Sequence, residues 1–281
     1  MQLGGHDIGV CSWSLHPQNA AELIEKLERL GLQHVQLGMG ALLELDEAQR
    51  AAELELIHRA GIVLTASMIS FPGEDYTTIA TIKQTGGYVP EERGQERREL
   101  TARAARLSKE IGLNLLSTHI GFVPPSSDPK YGTMVERVTE VGKILADNGL
   151  DLIMETGQEA ASELLQFIND VPSRNIAVNF DPANMILYGA GDPVDAVRTL
   201  GRHIRHVHIK DAIASNQPGT NWGEEVPFGT GEVAVDDFLT ALKEVGYDGA
   251  LVIERETGND LGDIAFAVET LRRSILGPAN A

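Results

Sequence analysis

Four short stretches of the chain place a chemically active side chain at the end of an apolar run. Glu155 follows LDLIM, Asp181 closes IAVNFD, His208 lies within IRHVHIK, and Glu254 follows GALVI. Each run reads as a strand, so the four side chains emerge together at neighbouring strand ends, facing a confined space. Three carboxylates converging there repel one another unless they are protonated or bridged by a cation. With one imidazole among them they form a reasonable shell for Mn²⁺, Mg²⁺, Co²⁺ or Zn²⁺.

Other polar residues share these faces. Strand alternation puts Asn179 beside Asp181, and puts His206, His208 and Lys210 in one row. His206 lies one pleat deeper than His208, about 6–7 Å further down the strand. It is expected as a hydrogen-bonded histidine behind the ligands, and it is also a candidate substrate contact. His119, ending NLLSTHI, either touches substrate as an acid–base group or satisfies the interior. Lys210 either holds a substrate anion or carbonyl, or pairs with Glu254 or Asp181. Trp13, at the end of the first apolar run, either stacks on a sugar ring or packs the rim. Glu256 rivals Glu254, which is preferred because the apolar run ends there. Asp211 points away from the row and is expected to cap a turn. FGTGEV (228–233) carries two glycines and reads better as a tight turn than as a phosphate cradle. Cys11 is expected in the core.

The elements that must position these residues alternate along the whole chain. Strand-like runs at 7–14, 34–38, 62–70, 114–120, 150–156, 176–181, 204–210 and 249–255 alternate with amphipathic stretches. The latter cover 19–31, 45–61, 91–112, 134–149, 159–170, 192–202, 235–246 and 263–275, and Gly closes several of them. Mostly apolar strands joined through helices imply a parallel sheet buried on both faces. Eight such units in 281 residues predict a closed (β/α)8 barrel, the TIM barrel, as a single domain. No Gly-rich fingerprint follows the first strand, which argues against an open dinucleotide-binding sheet. The long segments 70–90 and 211–233 both follow strands, so both are expected over the catalytic mouth.

Bulk properties narrow the partners. The chain is 42% hydrophobic but only 5% aromatic, so its core is built from Leu, Ile, Val and Ala. A net charge of −18 repels nucleic acid and anionic membrane. No apolar run approaches the ~18 residues of a membrane span. One cysteine cannot form an internal disulfide, and no secretory signal opens the chain. The expected setting is the cytoplasm.

METG around Glu155, NFDPANMILYG around Asp181, HVHIKD around His208 and VIERETG around Glu254 resemble the xylose-isomerase-like sugar phosphate isomerase/epimerase superfamily. The resemblance implies one divalent ion, most often Mn²⁺, held by Glu155, Asp181, His208 and Glu254. It implies a small carbohydrate substrate and a barrel that often pairs with a copy of itself. The two glutamates would also transfer the proton, through a cis-enediolate. The chain departs from the epimerase pattern: Asn184 stands where those enzymes often carry His, which makes it a candidate substrate contact, and HIKD replaces a His followed by Glu. Related members dehydrate keto-inositols or eliminate groups from 3-keto-glycosides, so a metal-dependent lyase is the alternative expectation. An abasic-site nuclease on the same barrel would want several metals and a basic face.

Overall fold

The computed structural model describes residues 1–258 and 261–277. Eight parallel strands close into a barrel: β1 (His6–Cys11), β2 (His34–Gly38), β3 (Val63–Met68), β4 (Leu115–Thr118), β5 (Asp151–Glu155), β6 (Ile176–Phe180), β7 (Ile204–Ile209) and β8 (Leu251–Ile253). Neighbours follow chain order. Closure is made by β1, which pairs with β8 through Leu251 and Ile8 and with β2 through Val10 and Val35. The principal helix after each strand packs outside: α1 (Ala20–Leu30), α2 (Glu47–Arg59), α3 (Gly94–Glu110), α4 (Tyr131–Ala146), α5 (Ala161–Asp170), α6 (Pro193–Leu200), α7 (Val235–Glu244) and α8 (Leu261–Leu276). This is the TIM barrel expected from the alternation, and its core is dominated by aliphatic residues.

Local chemistry sets the boundaries. Asn19 accepts a hydrogen bond from the Glu22 amide and so caps α1, while Leu23 and Leu27 bury its inner face. Gly31 then adopts φ 65°, a left-handed turn that releases the chain into β2. The run 7–14 does not stay extended: β1 stops at Cys11, and Ser12–Leu15 coil into a 3-10 turn that brings Trp13 over the mouth. The last strand is shorter than the run 249–255, spanning only Leu251–Ile253.

Both long segments carry structure of their own at the mouth. Within 70–90, Thr78 caps a helix over Ile79–Thr85 through a capping box with Thr81. Within 211–233, Asp211–Ile213 pairs antiparallel with Glu224–Val226. Asp211, buried, accepts the amides of Ala212, Gly229, Gly231 and Val233, so it does organise a turn, and the FGTGEV amides are spent on it. Trp222 ties the two segments together by donating its indole N–H to the Tyr76 carbonyl at 3.1 Å. No described helix is long and apolar enough to cross a membrane.

Candidate active site

The four expected ligands meet. One donor atom from each of Glu155, Asp181, His208 and Glu254 lies within 4.8 Å of all the others, and every one of these residues is buried. Glu155 and Glu254 end or follow β5 and β8. Asp181 follows β6, and Pro182 behind it starts a helix over Pro182–Tyr188. One Asp181 oxygen, Oδ1, caps that helix by accepting the Asn184 amide at 2.9 Å. The cap fixes the carboxylate and leaves Oδ2 pointing at His208 Nδ1, 3.5 Å away.

His208 presents Nδ1 to all three carboxylates, at 3.5 Å from Glu155 Oε1, 3.5 Å from Asp181 Oδ2 and 3.2 Å from Glu254 Oε2. Its other nitrogen, Nε2, lies 2.6 Å from Gln36 Oε1. A carbonyl oxygen at that distance makes Nε2 the protonated nitrogen, which leaves a lone pair on Nδ1. Asn179 Nδ2 sits 3.1 Å from the same Nε2 and donates to Ser117 Oγ. Gln36 comes from the middle of β2, on the far side of the barrel from β5 and β6.

Whether these residues fit a cation is decided by their unspent atoms. Glu155 Oε2, Asp181 Oδ2 and His208 Nδ1 are all buried and have no hydrogen-bond partner. Buried acceptors are seldom left so. Within the buried set, three carboxylates (−3) and the Lys210 ammonium (+1) leave two negative charges, which one divalent ion balances. In the metal-free chain the neighbouring charges act instead. Burial opposes the charge on His208, yet the Glu254 and Glu155 carboxylates outweigh it and hold its pKa well above the usual value. Cys11 Sγ lies 3.7 Å from His208 Nε2 and forms with His208 and Glu254 a second buried group close enough to hold an ion; burial pushes its thiol up to about 12.

The two glutamates are not equivalent. Glu254 has both oxygens engaged: Oε1 accepts Trp13 Nε1 at 2.7 Å and Oε2 accepts Lys210 Nζ at 2.9 Å. Glu155 accepts Asn184 Nδ2 on Oε1 at 2.9 Å, with His119 Nε2 3.5 Å from the same oxygen, and its Oε2 is free. Burial disfavours ionised Glu155, but the His119 and His208 charges outweigh it and lower its pKa. Lys210 is buried and takes the ion-pair form of its two expectations, adding Glu256 at 2.5 Å and Asp181 at 3.8 Å. Glu256 pairs with Lys210 from an exposed position, and the buried group close enough to hold an ion contains Glu254.

One expected substrate contact does not reach the mouth. His206 is buried, with Nδ1 2.9 Å from Asn179 Oδ1 and Nε2 3.0 Å from Thr65 Oγ1. Both nitrogens are spent on the protein, so it supports Asn179 rather than meeting a ligand. Trp13, His119 and Asn184 do line the cavity above the cluster, which encloses about 960 Å³. The sequence reading missed Gln36 and the aromatic wall of Tyr76, Tyr188 and Trp222. The Tyr188 and Trp222 rings meet edge-on at 4.7 Å. Gln36 carried one signal, a lone amide between Val35 and Leu37.

The chain is a closed barrel with a buried carboxylate–histidine cluster, close enough together to hold a metal ion, at the carboxyl ends of its strands, where barrels of this kind place their chemistry. The chain belongs to the xylose isomerase-like TIM barrel family, whose pattern it matches over residues 14–274. It is 36% identical to a xylose isomerase domain protein from Planctomyces limnophilus, whose crystal structure superposes with a TM-score of 0.87 over 96% of this chain and 98% of that one. It also superposes on a D-tagatose 3-epimerase-like protein, with a TM-score of 0.73 at 20% identity over 96% and 97% of the two chains, a likeness of fold. An inosose dehydratase from Bacillus velezensis is 27% identical over 177 residues, 56% of this chain and 59% of that protein. The chain spans about half the length of the curated relatives it matches.

Proposed function

We propose that the protein is a divalent-metal-dependent isomerase or epimerase of a keto sugar or sugar phosphate, and that it works by removing a proton from the carbon beside the carbonyl. The observation that carries this reading is the convergence of Glu155, Asp181, His208 and Glu254 on one small space, where Asp181 Oδ2 and His208 Nδ1 are buried without a hydrogen-bond partner. Asp181, His208, Glu155 and Glu254 would hold the ion, with Mn²⁺ or Mg²⁺ suited to a carboxylate-rich shell. When bound, the ion supplies charge to polarise the substrate carbonyl and stabilise the enediolate, an effect of several kcal/mol on the barrier.

The chain's own residues do the rest. Glu155 takes the proton: Asn184 orients it through Oε1, and its Oε2 carries no hydrogen bond and is free to reach carbon. His119, beside Glu155, moves a proton between the two substrate oxygens. Tyr76, packed against His119, and the Tyr188 and Trp222 rings line the cavity and would shield the reaction from water. Return of the proton to the neighbouring carbon from the same face needs only Glu155, and gives a 1,2-isomer. Return to the opposite face needs a second free carboxylate, so epimerisation requires Glu254 to release Trp13 or Lys210.

That asymmetry favours a second reading, a lyase on a keto sugar, keto-inositol or 3-keto-glycoside. Glu155 takes the proton, the carbon–carbon double bond forms, the bond to the leaving oxygen breaks, and Lys210 or His119 supplies that oxygen's proton. Likeness to an inosose dehydratase supports the same chemistry. The test is proton NMR in D₂O, with Mn²⁺-loaded protein and a panel of ketoses, ketose phosphates, keto-inositol and 3-keto-glycosides. A deuterated isomer or epimer supports the first reading, an unsaturated product the second. No exchange with any member contradicts both.

A further inference from the structure

The cavity extends well beyond the carboxylate–histidine cluster, and its far half is different in character. From Trp13 it runs outward between α1, the short helix over Gly40–Glu44 and α2, across the ends of β2 and β3. Leu23, Leu37, Met39, Leu42, Ile57 and Met68 line this annex. None of them takes part in the site described above. α2 contributes Ile57 to this lining and packs on the core through Ile57 and the half-buried Leu54. The outer rim is polar and built. Glu53 crosses from α2 to accept the Ala20 amide at 2.5 Å, and Asn19 is held as the cap of α1. His16, on the same rim, adopts φ 44°, the single left-handed non-glycine residue among those described. It closes the Ser12–Leu15 turn, its amide donating to the Trp13 carbonyl at 3.1 Å.

Size and polarity together identify an occupant. Pockets of about 300–1,000 Å³ hold drug-sized ligands, and one sugar ring needs far less than the upper end of that range. The polar groups that suit a sugar are concentrated around the cluster, while the annex offers mainly hydrocarbon. We infer that the annex binds an apolar substituent, aromatic or alkyl, on a keto sugar whose ring lies at the cluster, so that the substrate is a two-part molecule rather than a free monosaccharide. This inference rests on the proposed keto-sugar reading. It explains why the apolar lining is continuous with the site instead of being filled by the side chains of α2.

The test compares two probes that share one ring, the methyl and phenyl glycosides of 3-keto-glucose, by calorimetry and by turnover. Burying a phenyl group predicts tighter binding, by about tenfold or more, and a matching gain in kcat/KM. Two variants act on that ratio. Ala41→Trp fills the annex from an exposed rim position, and Leu42→Gln makes its wall polar. Either should bring the phenyl-to-methyl ratio towards one, and the rim variant reads out even where the buried one fails to fold. A ratio near one in the unmodified protein, or a ratio unmoved by a folded Ala41→Trp, overturns the inference. Calorimetry keeps the two claims apart. Phenyl-selective binding without proton exchange would sink the catalytic reading and leave the annex standing, whereas exchange without selectivity would do the reverse.

Discussion

Gln36 has no chemistry of its own, yet the geometry makes metal affinity depend on it. Its Oε1 lies 2.6 Å from His208 Nε2, deep in the barrel, and both side chains are buried. Accepting that N–H keeps the lone pair of Nδ1 facing Glu155, Asp181 and Glu254. Gln36→Met keeps the side chain's length and removes the acceptor. The buried Nε2–H then loses its partner, at a cost of about 1–3 kcal/mol. The ring can avoid that cost only by moving its proton to Nδ1, the nitrogen a cation needs. Either route weakens metal binding, by roughly 10–100-fold. Titration calorimetry with Mn²⁺ or Co²⁺ reads the change directly. Gln36→Glu restores an acceptor at the same place and should recover most of the affinity, which a purely structural defect would not do. Metal binding within about twofold of the unmodified protein in a folded Gln36→Met variant would refute the assignment of Nδ1 as the ligand atom.

Three more outcomes are expected. Asp181→Ala and His208→Ala should each purify without bound divalent metal by elemental analysis, and full occupancy in both would eliminate the site. Asp211→Ala strands the amides of Ala212, Gly229, Gly231 and Val233 and should cost roughly 3–5 kcal/mol in denaturant unfolding, with faster hydrogen exchange across 211–233; a loss under about 1 kcal/mol would show that the turn holds itself. Glu159 is buried beside the Val123 amide, and burial raises its carboxyl to about 8. The folded state therefore binds a proton that the unfolded chain releases near its ordinary value, so this group's contribution to stability is fully present below about pH 4.5 and is lost as pH rises to about 8. The loss is roughly 4–5 kcal/mol at most, Glu159→Gln should flatten it, and an unchanged pH profile of unfolding in that variant would contradict the assignment.

The barrel was legible because period-2 and period-3.6 patterns alternate cleanly, and several short apolar runs close on a carboxylate. That is why Glu155, Asp181 and Glu254 could be picked out and why they converge. What the sequence hid depends on contacts across the barrel. Gln36 looks like any lone polar residue in a strand, and only closure of the barrel through β8 and β1 brings it to His208. His206 has the same type and face as His208, but its depth places it between Thr65 and Asn179, where both nitrogens are consumed. Within the strand-like run 7–14, strict alternation would set Trp13 on the face of Cys11. The 3-10 turn at Ser12 breaks that alternation and swings the indole onto Glu254. The annex was invisible because its lining comes from elements far apart in the chain, α1, α2 and the ends of β2 and β3.

The central claim is proton removal by Glu155 beside a cation. The most direct measurement follows deuterium entering a keto sugar at the carbon next to its carbonyl, with the protein loaded with Mn²⁺, stripped by chelator, and carrying Glu155→Gln with its metal content checked. Exchange that requires the metal and disappears in a metal-retaining Glu155→Gln protein is the predicted result. Exchange that survives in that variant, or that proceeds undiminished in the stripped protein, would contradict it.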